Sequence, residues 1–199
     1  GCAIGTRPVD LHLFALKKLG AKIKIRNGYI IAEAKHGLKG ANITFPSISV
    51  GATENAILAA FGASGKTVLK NCATEPEVKD LISFLKKLGG LIKINKRKIS
   101  IVGRKKIKKN INHEVIFDRI ESGTYMIAAA LVGNKVRLKK IDSKIIKNEI
   151  NILKKMGVKL KVKKSMIEIY KSDKIKRLSI TTKPYPGFPT DLQAQLMVL

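Results

Sequence analysis

Polar and apolar residues alternate in three pairs of short runs along the chain. Ala21 to Arg26 turns at Asn27-Gly28 into Tyr29 to Glu33, Leu91 to Asn95 is followed by Lys98 to Val102, and Val158 to Lys163 by Met166 to Tyr170. A period of two sends alternate side chains to a buried face and to water, so each pair predicts a β-hairpin. The first is the clearest, because Asn-Gly supplies the two positive φ angles of a tight hairpin turn. Ahead of the hairpins the apolar spacing lengthens to three and four. Val78, Leu81, Ile82, Leu85 and Leu88 then share one helical face, as do Ile146, Ile150 and Leu153.

These helices close on one repeated phrase. Leu16-Lys17-Lys18-Leu19-Gly20 returns as Leu85-Lys86-Lys87-Leu88-Gly89 and as Leu153-Lys154-Lys155-Met156-Gly157, at offsets of 69 and 68 residues. Each glycine reads as a helix stop, and self-similarity at a fixed period means a repeated structural unit. Earlier in the period Gly65 to Lys70 aligns with Asn134 to Lys139, each predicting a strand. Before those strands come small, Ala-rich helices, Ala52 to Phe61 and Gly123 to Leu131. The unit is strand, helix, strand, helix, hairpin, and several units burying a shared face predict an α/β domain with helices packed inside its sheets. Half of one unit, two complete units and the opening of another are expected. The run Asp191 to Leu199 starts a helix that lacks a stop, and Gly1 opens inside a loop without an initiator Met, so the chain reads as a piece of a longer enzyme. A unit junction falls near Val115 to Phe117 and another near Ala41 to Pro46, and the repeat does not say which divides domains.

Charge changes this picture less than its size suggests. The net charge is +26, but 7 of the 40 basic residues are arginine and 33 are lysine, spread over every segment. In the strands they alternate with apolar residues, which is the solvent face of a half-buried ribbon. Aromatic residues are 5% of the chain and form no stacking row, which argues against a nucleic-acid partner. Two cysteines, Cys2 and Cys72, make no disulfide framework and have no metal-ligand spacing, as expected in a reducing compartment. There is no apolar run of the roughly 18 residues a membrane span needs.

The candidate chemistry begins at Gly1-Cys2-Ala3-Ile4-Gly5-Thr6-Arg7-Pro8-Val9-Asp10-Leu11, where a thiol between glycines precedes an arginine and a helix expected to begin near Pro8. A guanidinium beside free helix amides suits phosphate or carboxylate, while the alternative for Cys2 is a small buried hydrophobe. The inner helices are expected to start at Ser49-Val50-Gly51, Glu121-Ser122-Gly123-Thr124 and Pro189-Thr190-Asp191. Converged on one cleft their amides make an anion site, and singly they are ordinary caps. Asp118, Arg119 and Glu121 read as a structural ion network or a site wall. His12, His36 and His113 have no metal spacing and are assigned to core or surface.

Together the Gly-Cys-Ala-Ile-Gly loop through His12, Ser49 to Thr53, Asp118 to Thr124, and Phe188-Pro189-Thr190-Asp191-Leu192-Gln193-Ala194-Gln195 resemble the UDP-N-acetylglucosamine 1-carboxyvinyltransferases, enolpyruvyl transferases that open peptidoglycan synthesis. The resemblance covers essentially the whole chain, in order. It implies inside-out α/β barrels of repeated βαβαββ units, with residues 1–116 finishing the domain that carries the Cys loop and residues 117–199 beginning the second barrel. It also implies transfer of the enolpyruvyl group of phosphoenolpyruvate to the sugar 3-hydroxyl of UDP-N-acetylglucosamine with release of phosphate. No metal or organic cofactor is implied, and the parent is expected to be a cytoplasmic monomer without membrane or nucleic-acid partners.

Carried over by motif, Cys2 would protonate the methylene carbon of phosphoenolpyruvate, hold a covalent adduct and be alkylated by fosfomycin. Asp191 would face the sugar hydroxyl beside Thr190. Arg7 would steady anionic oxygens. The stretch Arg7, Pro8, Val9, Asp10 and Leu11, with the loop Ser47, Ile48, Ser49, Val50 and Gly51, would hold the sugar nucleotide. Asp118, Arg119 and Glu121 would line the cleft between domains. Ser47 stands where the family often has a lysine, and the family's early Lys-Asn pair and further phosphoenolpyruvate-clamping arginines have no counterpart, so the piece alone is expected to be inactive. The rivals are the shikimate-pathway enolpyruvyl transferase, which shares the fold but lacks the Gly-Cys-Ala-Ile-Gly loop, and a basic nucleic-acid-binding repeat protein.

Overall fold

The computed structural model of the protein describes residues 8–104 and 106–199. The chain divides into two compact units, Gly1–Glu114 and Val115–Leu199. In the first, helix α1 (Asp10–Lys18) leads into the hairpin β1 (Lys22–Arg26) and β2 (Tyr29–Glu33), followed by β3 (Asn42–Thr44), α2 (Val50–Gly62), β4 (Lys66–Lys70), α3 (Pro76–Lys87), β5 (Leu91–Asn95) and β6 (Lys98–Val102). The second runs α4 (Arg119–Val132), β7 (Lys135–Lys139), α5 (Lys147–Lys155), β8 (Leu160–Lys163) and β9 (Met166–Tyr170), then a short 3-10 helix (Thr190–Leu192) and α6 (Gln193–Val198).

The repeated phrase has a single structural meaning. At the end of α1, the Gly20 amide donates to Lys17 O at 3.0 Å and the Ala21 amide to Leu16 O at 3.0 Å. The same pair of bonds recurs from Gly89 and Gly90 to Lys86 and Leu85, and from Gly157 and Val158 to Lys154 and Leu153. This is the Schellman cap, which satisfies two carbonyls left over at a helix end. It requires a left-handed residue at its pivot, and Gly20, Gly89 and Gly157 have φ of 96°, 100° and 91°. The two lysines of each phrase lie in the last turn, where positive charge meets the negative end of the helix dipole.

All three predicted hairpins are present. In the first, Ile25 faces Ile30 and Arg26 faces Tyr29 across Asn27 and Gly28, whose φ angles are 51° and 77°. β5 and β6 continue into a four-stranded sheet of order β3-β4-β6-β5, in which β3 and β4 run parallel and the other pairs antiparallel. β8 and β9 belong to a three-stranded antiparallel sheet of order β7-β9-β8. The two sheets show where the expectation of two complete units fails. Residues 115–117, which stand where the second unit's opening strand belongs, form no ladder and lead straight into α4. Strand formation needs a hydrogen-bonded partner, and among the described residues β7 has only β9.

The inner helices explain their own composition. α2 touches α1 and α3 as well as β4 and β6, so Ala52, Ala56 and Ala60 are fully buried where larger side chains have no room. Thr53, equally buried, accepts a hydrogen bond from the Ala73 amide at 3.0 Å and so carries its hydroxyl into the core with a partner. Ile57 of α2 packs in one core with Leu19, Ile43, Phe45, Leu69, Ile82, Ile99 and Ile101. Each such side chain contributes about 1.5–3 kcal/mol relative to exposure. The second core gathers Met126, Ala130, Ile146, Ile150, Leu153, Ile167 and Ile169 in the same way around α4.

Candidate functional site

In the first unit the structure brings two of the predicted stretches together. α1 begins at Asp10, two residues after the expected Pro8, with Val9 as its cap and the Asp10 carboxyl in its first turn. α2 begins at Val50, where Ser49 Oγ accepts from the Ala52 amide at 3.3 Å. These two helix starts touch. A methyl group placed on Gly51 would lie 3.3 Å from His12 Cε1, and His12 Nδ1 is 3.3 Å from Asn55 Nδ2. Gly51 thus lets the first turn of α2 close on the first turn of α1. Pro8, Val9 and Asp10 are exposed, as is Ser47 in the bend before α2, while Leu11, Ile48, Ser49 and Val50 are half-buried at the edge of the core. Cys2 and Arg7 lie outside the described residues.

His12 and Asn55 were missed as site neighbours. They are 43 residues apart, and no spacing rule connects them; only the packing of α1 on α2 does. The electrostatics nearby are acidic: burial, then the charges of Glu77 and Glu75, raises the Glu54 carboxyl above its ordinary value.

In the second unit α4 starts at Arg119, one turn before the expected Glu121 to Gly123. Asp118 is the cap, accepting from the Ile120 amide at 2.7 Å and the Glu121 amide at 3.0 Å through one carboxylate oxygen. Those amides are therefore already bonded, which is ordinary capping, the second of the two readings for this helix start. Asp118 and Glu121 are exposed. Arg119 is 8% exposed and turned into its own unit, with Nη1 3.8 Å from Glu149 Oε1 on α5 and the guanidinium 5.9 Å from the Tyr185 ring centre. Of the three residues read as either network or wall, Arg119 belongs to a network.

Thr190 and Asp191 open the 3-10 helix with their side chains exposed. The following Leu192 is 1% exposed and lies against Gly123, where even a methyl group would collide with the Leu192 side chain. Gln195 Nε2 donates to Thr124 Oγ1 at 3.0 Å, and Thr124 Oγ1 donates to Ile120 O at 2.9 Å. The 3-10 helix and α6 are thus docked on the first half of α4, and Asp191 is held beside it facing water. A cavity of about 400 Å³ in this unit, lined by Met156, Leu178, Phe188, Leu196 and Met197 among others, includes none of the predicted site residues.

The inner helices α2 and α4 start at Ser49 and Asp118 caps, and each is followed by a strand and a Schellman-capped helix. The sequence model of the family EPSP synthase (3-phosphoshikimate 1-carboxyvinyltransferase) matches residues 1–199, and the chain belongs to that family. Its fold is that of the enolpyruvyl transferase NikO from Streptomyces tendae, with a TM-score of 0.83 and 22% identity over 96% of this chain and 48% of the other. EPSP synthase from Acinetobacter baumannii has a TM-score of 0.65 at 23% identity, over 92% of this chain and 43% of the other. Within the family the chain is 59% identical over its whole length to the UDP-N-acetylglucosamine 1-carboxyvinyltransferase of Pelagibacter ubique, and 49% identical to that of Endomicrobium trichonymphae. It spans about half the length of these relatives, 48% of each.

Proposed function

We propose that the chain is part of a longer UDP-N-acetylglucosamine 1-carboxyvinyltransferase, with residues 1–116 finishing one barrel domain and 117–199 beginning the next. In this reaction a bond forms between the sugar 3-oxygen and the central carbon of phosphoenolpyruvate. The bond from that carbon to the phosphate oxygen breaks, and inorganic phosphate leaves. Cys2 gives a proton to the methylene carbon as the sugar oxygen attacks, and the same carbon loses a proton when phosphate departs. A thiol suits the task because it keeps its proton at neutral pH yet can surrender it. Asp191 takes the sugar hydroxyl proton. A carboxylate is a weak base towards an alcohol, so proton removal accompanies attack.

The observation that carries this reading is the 59% identity, over the whole chain, to a relative bearing that name. The contact between the starts of α1 and α2 supports a sugar-nucleotide site built from Arg7 to Leu11 and Ser47 to Gly51. Thr190 and Asp191 supply the acceptor side, and Asp118 and Glu121 the cleft wall. No cofactor enters the chemistry, and no helix among the described residues is long and apolar enough to cross a membrane. A cytoplasmic monomer acting on small molecules completes the proposal.

The test is turnover by the full-length protein, followed as phosphate release from phosphoenolpyruvate with either UDP-N-acetylglucosamine or 3-phosphoshikimate as acceptor. Phosphate release only with the sugar nucleotide is expected. Asp191→Ala should then lower kcat on the order of a hundredfold or more while leaving KM for the sugar nucleotide within about threefold. Turnover of 3-phosphoshikimate instead, which the family's name makes the second reading, would assign the chain to the other branch.

A further inference from the structure

We propose that Arg119 and Tyr185 form a strut that sets the position of the turn carrying Asp191, which makes Arg119 a positioning residue for the transfer reaction; this rests on the role given to Asp191 above. Tyr185 sits in a closed loop. Lys183 N donates to Phe188 O at 2.9 Å, Gly187 N donates to Pro184 O at 2.8 Å, and Thr182 and Phe188 pair as an isolated bridge. Phe188 is 3% exposed and pins the far side of the loop. Pro189 then leads directly into the 3-10 helix, whose first bond runs from Leu192 N to Pro189 O at 3.2 Å. The loop and Asp191 therefore move as one piece.

That piece is fixed to α4 at two levels. Leu192 against Gly123 and Gln195 on Thr124 hold its far end. Arg119, one helical turn earlier on the same rod, meets Tyr185 and holds the near end. With one contact alone the segment could pivot; with both, the exposed Asp191 between them is fixed through its neighbours. Arg119 is itself fixed by Glu149 on α5. Arginine suits this position because its planar guanidinium can meet a carboxylate through its edge and an aromatic ring through its face. The ammonium of lysine is a point charge that does not stack.

The strut is tested in the full-length enzyme with Arg119→Lys, Tyr185→Leu, Tyr185→Phe and the double variant Arg119→Lys with Tyr185→Leu. The lysine keeps a charge opposite Glu149, and Tyr185 is only half-buried, so these variants are chosen to fold. The expected result is that kcat per folded enzyme, corrected by a thermal melt, falls about tenfold in Arg119→Lys and in Tyr185→Leu, with KM for UDP-N-acetylglucosamine within about twofold, because misplacing a reacting group costs turnover. Tyr185→Phe, which keeps the ring, should stay within about twofold of the parent. The double variant should be no worse than the single ones, as for two parts of one device. Parent-like kcat in Arg119→Lys and Tyr185→Leu, an equal loss in Tyr185→Phe, or additive losses in the double variant would each overturn the strut. An inactive parent would instead remove the reading on which it rests.

Discussion

Two buried titratable side chains shift in opposite directions because their charged neighbours differ. Cys72 is fully buried, and removal from water, only partly offset by Arg97 and a backbone hydrogen bond, pushes its thiol from an ordinary 9.0 up to about 12. It therefore stays protonated and inert at neutral pH. Native alkylation should therefore leave Cys72 untouched until denaturant is added. Peptide mass mapping checks this, and early modification of Cys72 would contradict its burial. A raised folded pKa means that the stability linked to the neutral thiol is complete below 9.0 and is lost as pH climbs toward about 12. Glu168 on β9 is also buried, at 4% exposure. Desolvation alone would raise its carboxyl, but the hydrogen bond from Arg137 at 3.1 Å and the charges of Lys135 and Lys163 outweigh that and hold it below the ordinary 4.5. Its stabilising effect is therefore full above 4.5 and fades as pH falls through the folded value. Thermal melts between pH 7 and 3 should show Tm falling in this acid range. Glu168→Gln should flatten that fall, and an unchanged slope would mean that other carboxyls govern it.

At the scale of the element, the three-fold recurrence of a Schellman cap ties a five-residue phrase to a measurable quantity. Gly157 has φ of 91°, and a methyl group there would also lie 2.9 Å from the Lys174 carbonyl oxygen. Gly157→Ala should cost about 1 kcal/mol or more, from left-handed strain together with that contact. Gly20, with φ of 96° and nothing within 4 Å of an added methyl, isolates the conformational part. Gly20→Ala should therefore cost less than Gly157→Ala in urea melts, and the reverse order would refute this account of the cap. This level of structure was legible in the sequence. The hairpins, the helix stops and the small inner helices follow from residues within a few positions of one another, and they stand no more than four residues from where the pattern puts them. The exceptions are informative. α4 starts a turn early because the Asp118 carboxylate captures two amides. The strand expected at the head of the second unit is missing because a strand depends on a partner that periodicity does not supply.

At the scale of the whole molecule, four short motifs in order along 199 residues were enough to indicate the family, and the match of its model and of known relatives to the whole of this chain agrees with them. The chain by itself determined where helices end, where ribbons turn and which family it belongs to, because each of these is written in local chemistry: a glycine able to take positive φ, a period of two or of three to four, a cysteine between glycines. Tertiary structure alone decided that His12 and Asn55 meet beside Gly51, that Arg119 turns inward to Glu149 and Tyr185, and that Asp191 is carried by a loop docked on α4. Those facts depend on which of many compatible faces come together across tens of residues. That choice is made by the collective burial of two cores, not by any single residue.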